Sequence, residues 1–151
     1  DGPEQEAMRR YAEELGIADR VVFAGYRTDV ERMFAASDIV TLTSMWEGLP
    51  RVLVQAAAVG RPAVTFNCDG AWEIVEEGVT GFIVPMRDET MLHRRIDRLV
   101  ADPKLRREMG RRARTKVDDR WSIQAMVRDL EALYDRLASE AGLEPAGRGG
   151  S

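Results

Sequence analysis

Residues 39–59 constrain the architecture more tightly than any other part of the chain. Ile39-Val40-Thr41-Leu42 is a short apolar run, and residues 52–59 repeat apolar positions at helical spacing. Between them stands the turn Glu47-Gly48-Leu49-Pro50-Arg51. A brief apolar run ending in turn residues reads as a buried strand, and the longer periodic run reads as a helix. Pro50 suits the first helical position, where the missing N–H costs nothing and φ is already near the helical value. The free N–H groups of that first turn then point toward the loop. A strand end feeding a helix N-terminus is where α/β proteins bind anions, usually phosphate. Glu47 stands beside this place and is the candidate for chemistry.

The pattern recurs along the chain. Val21-Val22-Phe23-Ala24 reads as a second strand, continuously apolar as buried parallel strands are; Pro62-Ala63-Val64-Thr65-Phe66, with proline at its first residue, and Gly81-Phe82-Ile83-Val84-Pro85 read as two more. Helices are expected over residues 4–15, with Met8, Tyr11, Ala12 and Leu15 on one face, and up to Ala36 behind a Thr28 or Asp29 cap, with Val30, Met33 and Phe34 facing the core. A short helix follows over residues 71–77. Asp88 can cap another, with Leu92, Ile96, Leu99 and Val100 inward, and Asp102-Pro103 opens one running to Val117. Ser122 can cap the last, whose core face is expected to be Ile123, Met126, Val127, Leu130, Leu133, Tyr134 and Leu137. Strands alternating with helices predict an α/β, doubly wound parallel sheet with right-handed crossovers and a helical C-terminal end.

Composition excludes several function classes. A formal net charge of −4 gives no general attraction for nucleic acid. One cysteine, Cys68, and one histidine, His93, leave no His/Cys metal cluster and no internal disulfide, which suits a reducing, cytoplasmic setting. The apolar runs fall well short of the ~20 residues that span a bilayer. The basic run from Lys104 to Lys116 reads either as a solvated helix face or as a surface for an anionic membrane at its inner face.

Several segments, taken together and in order, resemble the C-terminal half of retaining GT-B glycosyltransferases of family 4. They are Asp1-Gly2-Pro3-Glu4, Val21-Val22-Phe23-Ala24-Gly25-Tyr26, Ala36-Ser37-Asp38-Ile39-Val40, Glu47-Gly48-Leu49-Pro50, Gly60-Arg61-Pro62-Ala63-Val64 and residues 73–85. Ala113-Arg114 and Arg120-Trp121-Ser122 extend the likeness. The resemblance implies a Rossmann-like three-layer domain, half of a GT-B fold, over residues 1–140, followed by a flexible tail over residues 141–151. It implies transfer of a hexose from a nucleotide diphosphate sugar, with no metal or other cofactor. In such proteins a first glutamate contacts the donor sugar, and a second, after seven intervening residues, holds the ribose. Glu47 matches the first. The second position is Gln55, whose carbonyl still accepts a hydrogen bond but without the charge assistance of a carboxylate.

Other roles also follow from the resemblance. Gly25, Tyr26 and Arg27 match the place where the backbone meets the base. Ser44 and Met45 line the cleft, while Gly48, Leu49, Pro50 and Arg51 hold the diphosphate. Glu47 orients the sugar and is not a nucleophile. The family's half begins with a strand, a helix and a second strand before its Asp-Gly-Pro, and its basic diphosphate clamp comes from that segment. This chain starts at Asp1-Gly2-Pro3. The flanking strands, residues 21–24 and 39–43, are expected to close up and pair directly. The N-terminal acceptor-binding domain is the partner implied, and the chain alone is expected to be inactive. Two alternatives stand beside this reading: a non-catalytic nucleotide-sugar-binding or interaction module, and a fragment of a GT-B epimerase.

Overall fold

The computed structural model describes residues 2–118 and 121–143; Asp1, Arg120 and the glycine-rich tail lie outside the described residues. The chain opens with α1 (Gln5–Glu14), a 3-10 turn (Ala18–Arg20) and α2 (Val30–Ala36). Then β1 (Val40–Leu42), α3 (Arg51–Ala58), β2 (Ala63–Phe66), α4 (Ala71–Ile74) and β3 (Gly81–Val84) alternate. Three helices follow: α5 (Glu89–Ala101), α6 (Pro103–Lys116) and α7 (Ile123–Glu140).

The sheet is parallel in the order β1-β2-β3, with Val40 opposite Ala63 and Val64 opposite Phe82. β2 is central and buried along its whole length. Its side chains alternate between the two faces, as a pleated strand requires. Ala63 joins Leu53, Ala57, Ile74, Val75 and Ala113 on one face, packed under α3, α4 and α6. Val64 and Phe66 join Phe82, Val84, Leu92, Leu99 and Met109 on the other, under α5 and α6. Thr65, fully buried, satisfies its hydroxyl by donating to the Phe66 carbonyl at 3.0 Å. This is the three-layer arrangement expected from the alternation of elements.

The outer edge of β3 is closed locally. The Glu77 carboxylate accepts the Ile83 N–H at 2.6 Å and pairs with Arg95 at 3.1 Å. Arg95 in turn stacks over the Phe82 ring, 4.6 Å from its centroid. A paired edge of this kind presents no free ladder to another chain.

The expected caps hold at three helices. The Asp88 carboxylate accepts from the Met91 N–H, Asp102 from Lys104 and Leu105, and Ser122 from Ala125. At α2 the expectation fails: no side chain caps it, because the Asp29 carboxylate is engaged by both Nε and Nη2 of Arg27 at 2.7 Å. α6 and α3 meet at a glycine pair. A Cβ at Gly110 would run into the Gly60 carbonyl oxygen, so the crossing requires a residue without a side chain.

Four further expectations are corrected. Residues 21–24 form no strand and do not pair with β1; Val22 is 85% exposed. A strand holds through ladder bonds to a neighbour, and no described residues lie beside these to provide them. Phe23 instead takes the Arg9 guanidinium over its ring at 4.5 Å. On α1 only Ala12 is buried, while Met8, Tyr11 and Leu15 are exposed. On α2 Met33 does not face the core but is 40% exposed, and none of that helix's residues is buried. The stripe on α7 is not core: Ile123, Met126, Val127, Leu130, Leu133, Tyr134 and Leu137 are all exposed, and Ala125 is the buried residue of that helix. The spacing is amphipathic, but among the described residues nothing covers the face. Val100 likewise points outward, because α5 turns its Leu92–Leu99 side to the sheet.

Candidate active site

The strand-to-helix loops after β1, β2 and β3 leave the sheet from the same, C-terminal edge, as they must in a parallel sheet. Two of them are in direct contact. Gly70, at the end of the loop after β2, has φ +72 and caps the N-terminus of α4. A Cβ there would overlap the Gly48 carbonyl oxygen and stand 3.2 Å from Pro50 Cδ. The turn that carries Glu47 is therefore braced from below by backbone, at a distance only glycine permits. The third loop reaches the first through a side chain: Arg87 Nε donates to Met45 Sδ at 3.3 Å.

Pro50 falls one place earlier than its sequence context suggests. It is the residue before the first helical one, with ψ of 90°, and it is fully buried. Its carbonyl accepts the Leu53 N–H at 2.9 Å, so it still closes the first turn of α3. No side chain caps α3. The N–H groups at its start are the positive end of the helix dipole, directed out of the sheet edge.

Glu47 is half-buried and, among the described residues, makes no hydrogen bond or ion pair. Ser44 and Met45 are half-buried in the same loop, whereas Gly48, Leu49 and Arg51 are exposed at its tip. Gln55 is exposed on α3, one helical turn beyond Arg51. These residues come together on one loop and one helix.

Gly25, Tyr26 and Arg27 do not join them. Gly25 lines an open cleft with Gly2, Pro3, Met8, Phe23 and Ala24, and no residue of the Glu47 turn contributes to it. Tyr26 is 85% exposed. Arg27 is held by Asp29, and this hydrogen-bonded pairing lowers the Asp29 carboxyl below the ordinary carboxylate range and raises the Arg27 guanidinium. Cys68, beneath the loop after β2, is buried in the core and is no exposed thiol.

Two features escaped the sequence reading. Trp46 and Trp72 are largely exposed beside Glu47 and Gly70; a tryptophan next to a candidate acid in a turn is the signal that was there to use. Arg87 was passed over because nothing in its sequence context marks it. Its φ of +63 and its reach to Met45 exist only in three dimensions.

A parallel three-stranded sheet flanked by helices, with its strand-to-helix loops gathered at one edge, defines a Rossmann-like α/β domain. The model of the family described as glycosyl transferases, group 1, matches residues 1–116, and the chain belongs to that family. Among curated relatives it is 33% identical over 134 residues to the N-acetyl-alpha-D-glucosaminyl L-malate synthase of Bacillus anthracis, covering 89% of this chain and 35% of that protein. It is 27% identical to the UDP-Gal:alpha-D-GlcNAc-diphosphoundecaprenol alpha-1,3-galactosyltransferase of Escherichia coli, covering 82% of this chain and 32% of that one. The Anabaena protein HepE, solved in complex with UDP, superposes with a TM-score of 0.80 at 28% identity, over 88% of this chain and 38% of that one. The chain thus spans about a third of the length of the proteins it matches. Among the described residues no helix is long and apolar enough to cross a membrane.

Proposed function

We propose that this chain is the donor-binding part of a retaining glycosyltransferase that transfers a hexose from a nucleotide diphosphate sugar. One observation carries the reading: Glu47, half-buried and unpaired, stands on a turn braced by Gly70 immediately before the uncapped α3. Cleaving a glycosyl–phosphate bond develops positive charge on the sugar and negative charge on the departing diphosphate. Preorganised dipoles at the leaving group stabilise that separation. Gly48, Leu49 and the start of α3 at Pro50 and Arg51 supply such dipoles, and Arg51 adds a full charge. Glu47 orients the sugar ring. Gln55 accepts a ribose hydroxyl and Ser44 and Met45 line the floor, while Gly25, Tyr26 and Arg27, which lie apart from this turn, meet the base at the other end of the nucleotide. The UDP bound in the HepE structure supports a nucleotide ligand. No metal takes part, so chelation leaves donor affinity unchanged.

The acceptor belongs to a second, N-terminal domain; the chain's small share of its relatives' length supports this division of labour. In this proposal residues 1–140 are the donor-binding domain. We place the protein in the cytoplasm, with peripheral contact at an anionic membrane face. Lys104, Arg107, Arg111 and Arg114 are exposed along one stripe of α6 and form no ion pair among the described residues, and the Escherichia coli relative is named for a lipid-linked acceptor.

The test is a titration of the chain with UDP-, GDP- and ADP-glucose and the parent diphosphates, followed by amide NMR. Glu47→Gln should weaken the sugar nucleotide by about 10-fold, the value of one charge-assisted hydrogen bond, and leave the diphosphate unchanged. Equal affinity of wild type and variant for every sugar nucleotide would remove Glu47 from the donor site.

A further inference from the structure

Arg87 is the one non-glycine residue with positive φ among those described, at +63. Glycine adopts this conformation without strain, whereas an L-residue with a Cβ is disfavoured there. Arg87 also sits at an informative place, in the loop between β3 and α5, on the edge of the sheet from which the Glu47 turn leaves. The loop is fixed on both sides. The Asp88 N–H donates to the Pro85 carbonyl at 3.1 Å, and the Asp88 carboxylate caps α5 through Met91 at 2.8 Å.

The side chain carries the stronger hint. Its Nε donates to Met45 Sδ at 3.3 Å, spanning 42 positions of sequence to reach the Glu47 loop. A thioether is a weak, uncharged acceptor. Among the described residues no carboxylate pairs with Arg87; the same holds for Arg51 and for Arg107, Arg111 and Arg114 of α6, but Arg87 alone of these reaches the Glu47 loop through a side-chain hydrogen bond. The remaining guanidinium N–H groups form a planar fork whose geometry matches two oxygens of a phosphate. A strained backbone and an unneutralised fork laid against the candidate site are what an anion-binding residue shows before its ligand arrives.

We propose that Arg87 is an anion-binding residue of this site, taking the diphosphate of a nucleotide ligand together with the start of α3. The assignment rests on the donor-site reading above. It adds to that reading a second full charge, from the loop after β3 and positioned through Met45, beside that of Arg51.

Three variants separate the roles. Arg87→Asn keeps a residue that tolerates the left-handed region but removes the charge. Arg87→Gly removes the charge and relieves the backbone. Arg87→Lys keeps a point charge without the fork. Each is titrated with inorganic pyrophosphate, UDP and uridine, read at the amide signals of the Gly48–Arg51 turn, and each is melted without ligand. Arg87→Asn and Arg87→Gly should bind pyrophosphate and UDP about 10-fold more weakly, with uridine unchanged and Arg87→Lys in between. Arg87→Gly should also melt about 2–4 °C higher than wild type, so that stability and affinity move in opposite directions. A purely structural arginine would change the melting temperature and leave pyrophosphate affinity at the wild-type value; that result overturns the proposal while the donor site stands. If wild type shows no pyrophosphate-dependent shift at the turn, the donor-site reading fails and Arg87 with it.

Discussion

Gly70→Ala tests whether the brace under the Glu47 turn is real. Two separate effects act at this position. At φ +72 an alanine Cβ meets its own backbone, at about 1–2 kcal/mol. The same Cβ would overlap the Gly48 carbonyl oxygen and sit 3.3 Å from Leu49 Cα, all of it backbone that cannot swing aside. Relieving that overlap by shifting the turn adds about 1–3 kcal/mol, the usual range for overpacking. The lower conformational entropy of alanine in the unfolded chain returns about 0.5 kcal/mol. The net loss expected is about 2–4 kcal/mol. Gly78 is an internal control: its φ is +75, yet nothing lies within 4 Å of the Cβ position. Gly78→Ala should therefore bear the backbone effect alone, about 1 kcal/mol. Urea unfolding of both variants, with slopes unchanged from wild type, measures the difference directly. Amide shifts at Gly48 and Arg51 should move in Gly70→Ala and stay fixed in Gly78→Ala. Equal destabilisation by the two substitutions would show that the loops after β1 and β2 do not touch, and the geometry argued for the site would fall.

Two further outcomes follow from burial and charge. Leu53→Ala, under the sheet at 1% exposure, should cost about 2–5 kcal/mol, whereas Leu133→Ala on the uncovered face of α7 should stay within about 0.5 kcal/mol of wild type; denaturant midpoints decide. The Asp29 carboxyl is lowered in the folded state by its hydrogen bond to Arg27 and the guanidinium charge, so the pair stabilises above the unfolded carboxyl's ordinary value and is lost as pH falls through the folded one. An NMR titration of the Asp29 carboxyl should give a midpoint below the ordinary range in wild type, returning upward in Arg27→Gln.

Much of the sheet and its helices was legible in sequence because local signals and tertiary packing agree there. Residues 63–66 are apolar, begin after a proline and are followed by turn residues, and they form a strand buried on both faces. Asp88, Asp102 and Ser122 are capping residues placed before periodic runs, and each side chain caps its helix. The misreadings arise where a pattern requires a partner that local sequence does not supply. Residues 21–24 have strand composition but no ladder beside them, and the α7 stripe has helical spacing but no surface against it. Periodicity states which side of an element is apolar; it does not state that something covers that side.

The site divides along the same line. Glu47, Gly48, Pro50 and Gln55 could be named from the sequence because their chemistry depends on neighbours a few positions away, and a turn followed by a helix is a local object. The brace at Gly70 and the reach of Arg87 could not, because each acts across the sheet edge on a loop more than twenty or forty positions earlier. The conformations of these two residues make opposite demands on the side chain. Gly70 occupies the left-handed region where a close backbone approach excludes any Cβ, so glycine there is a packing requirement. Arg87 occupies the same region with a long side chain that ends on a thioether. A residue that is costly to hold and unneutralised where it ends is better explained by what binds there than by the fold it sits in.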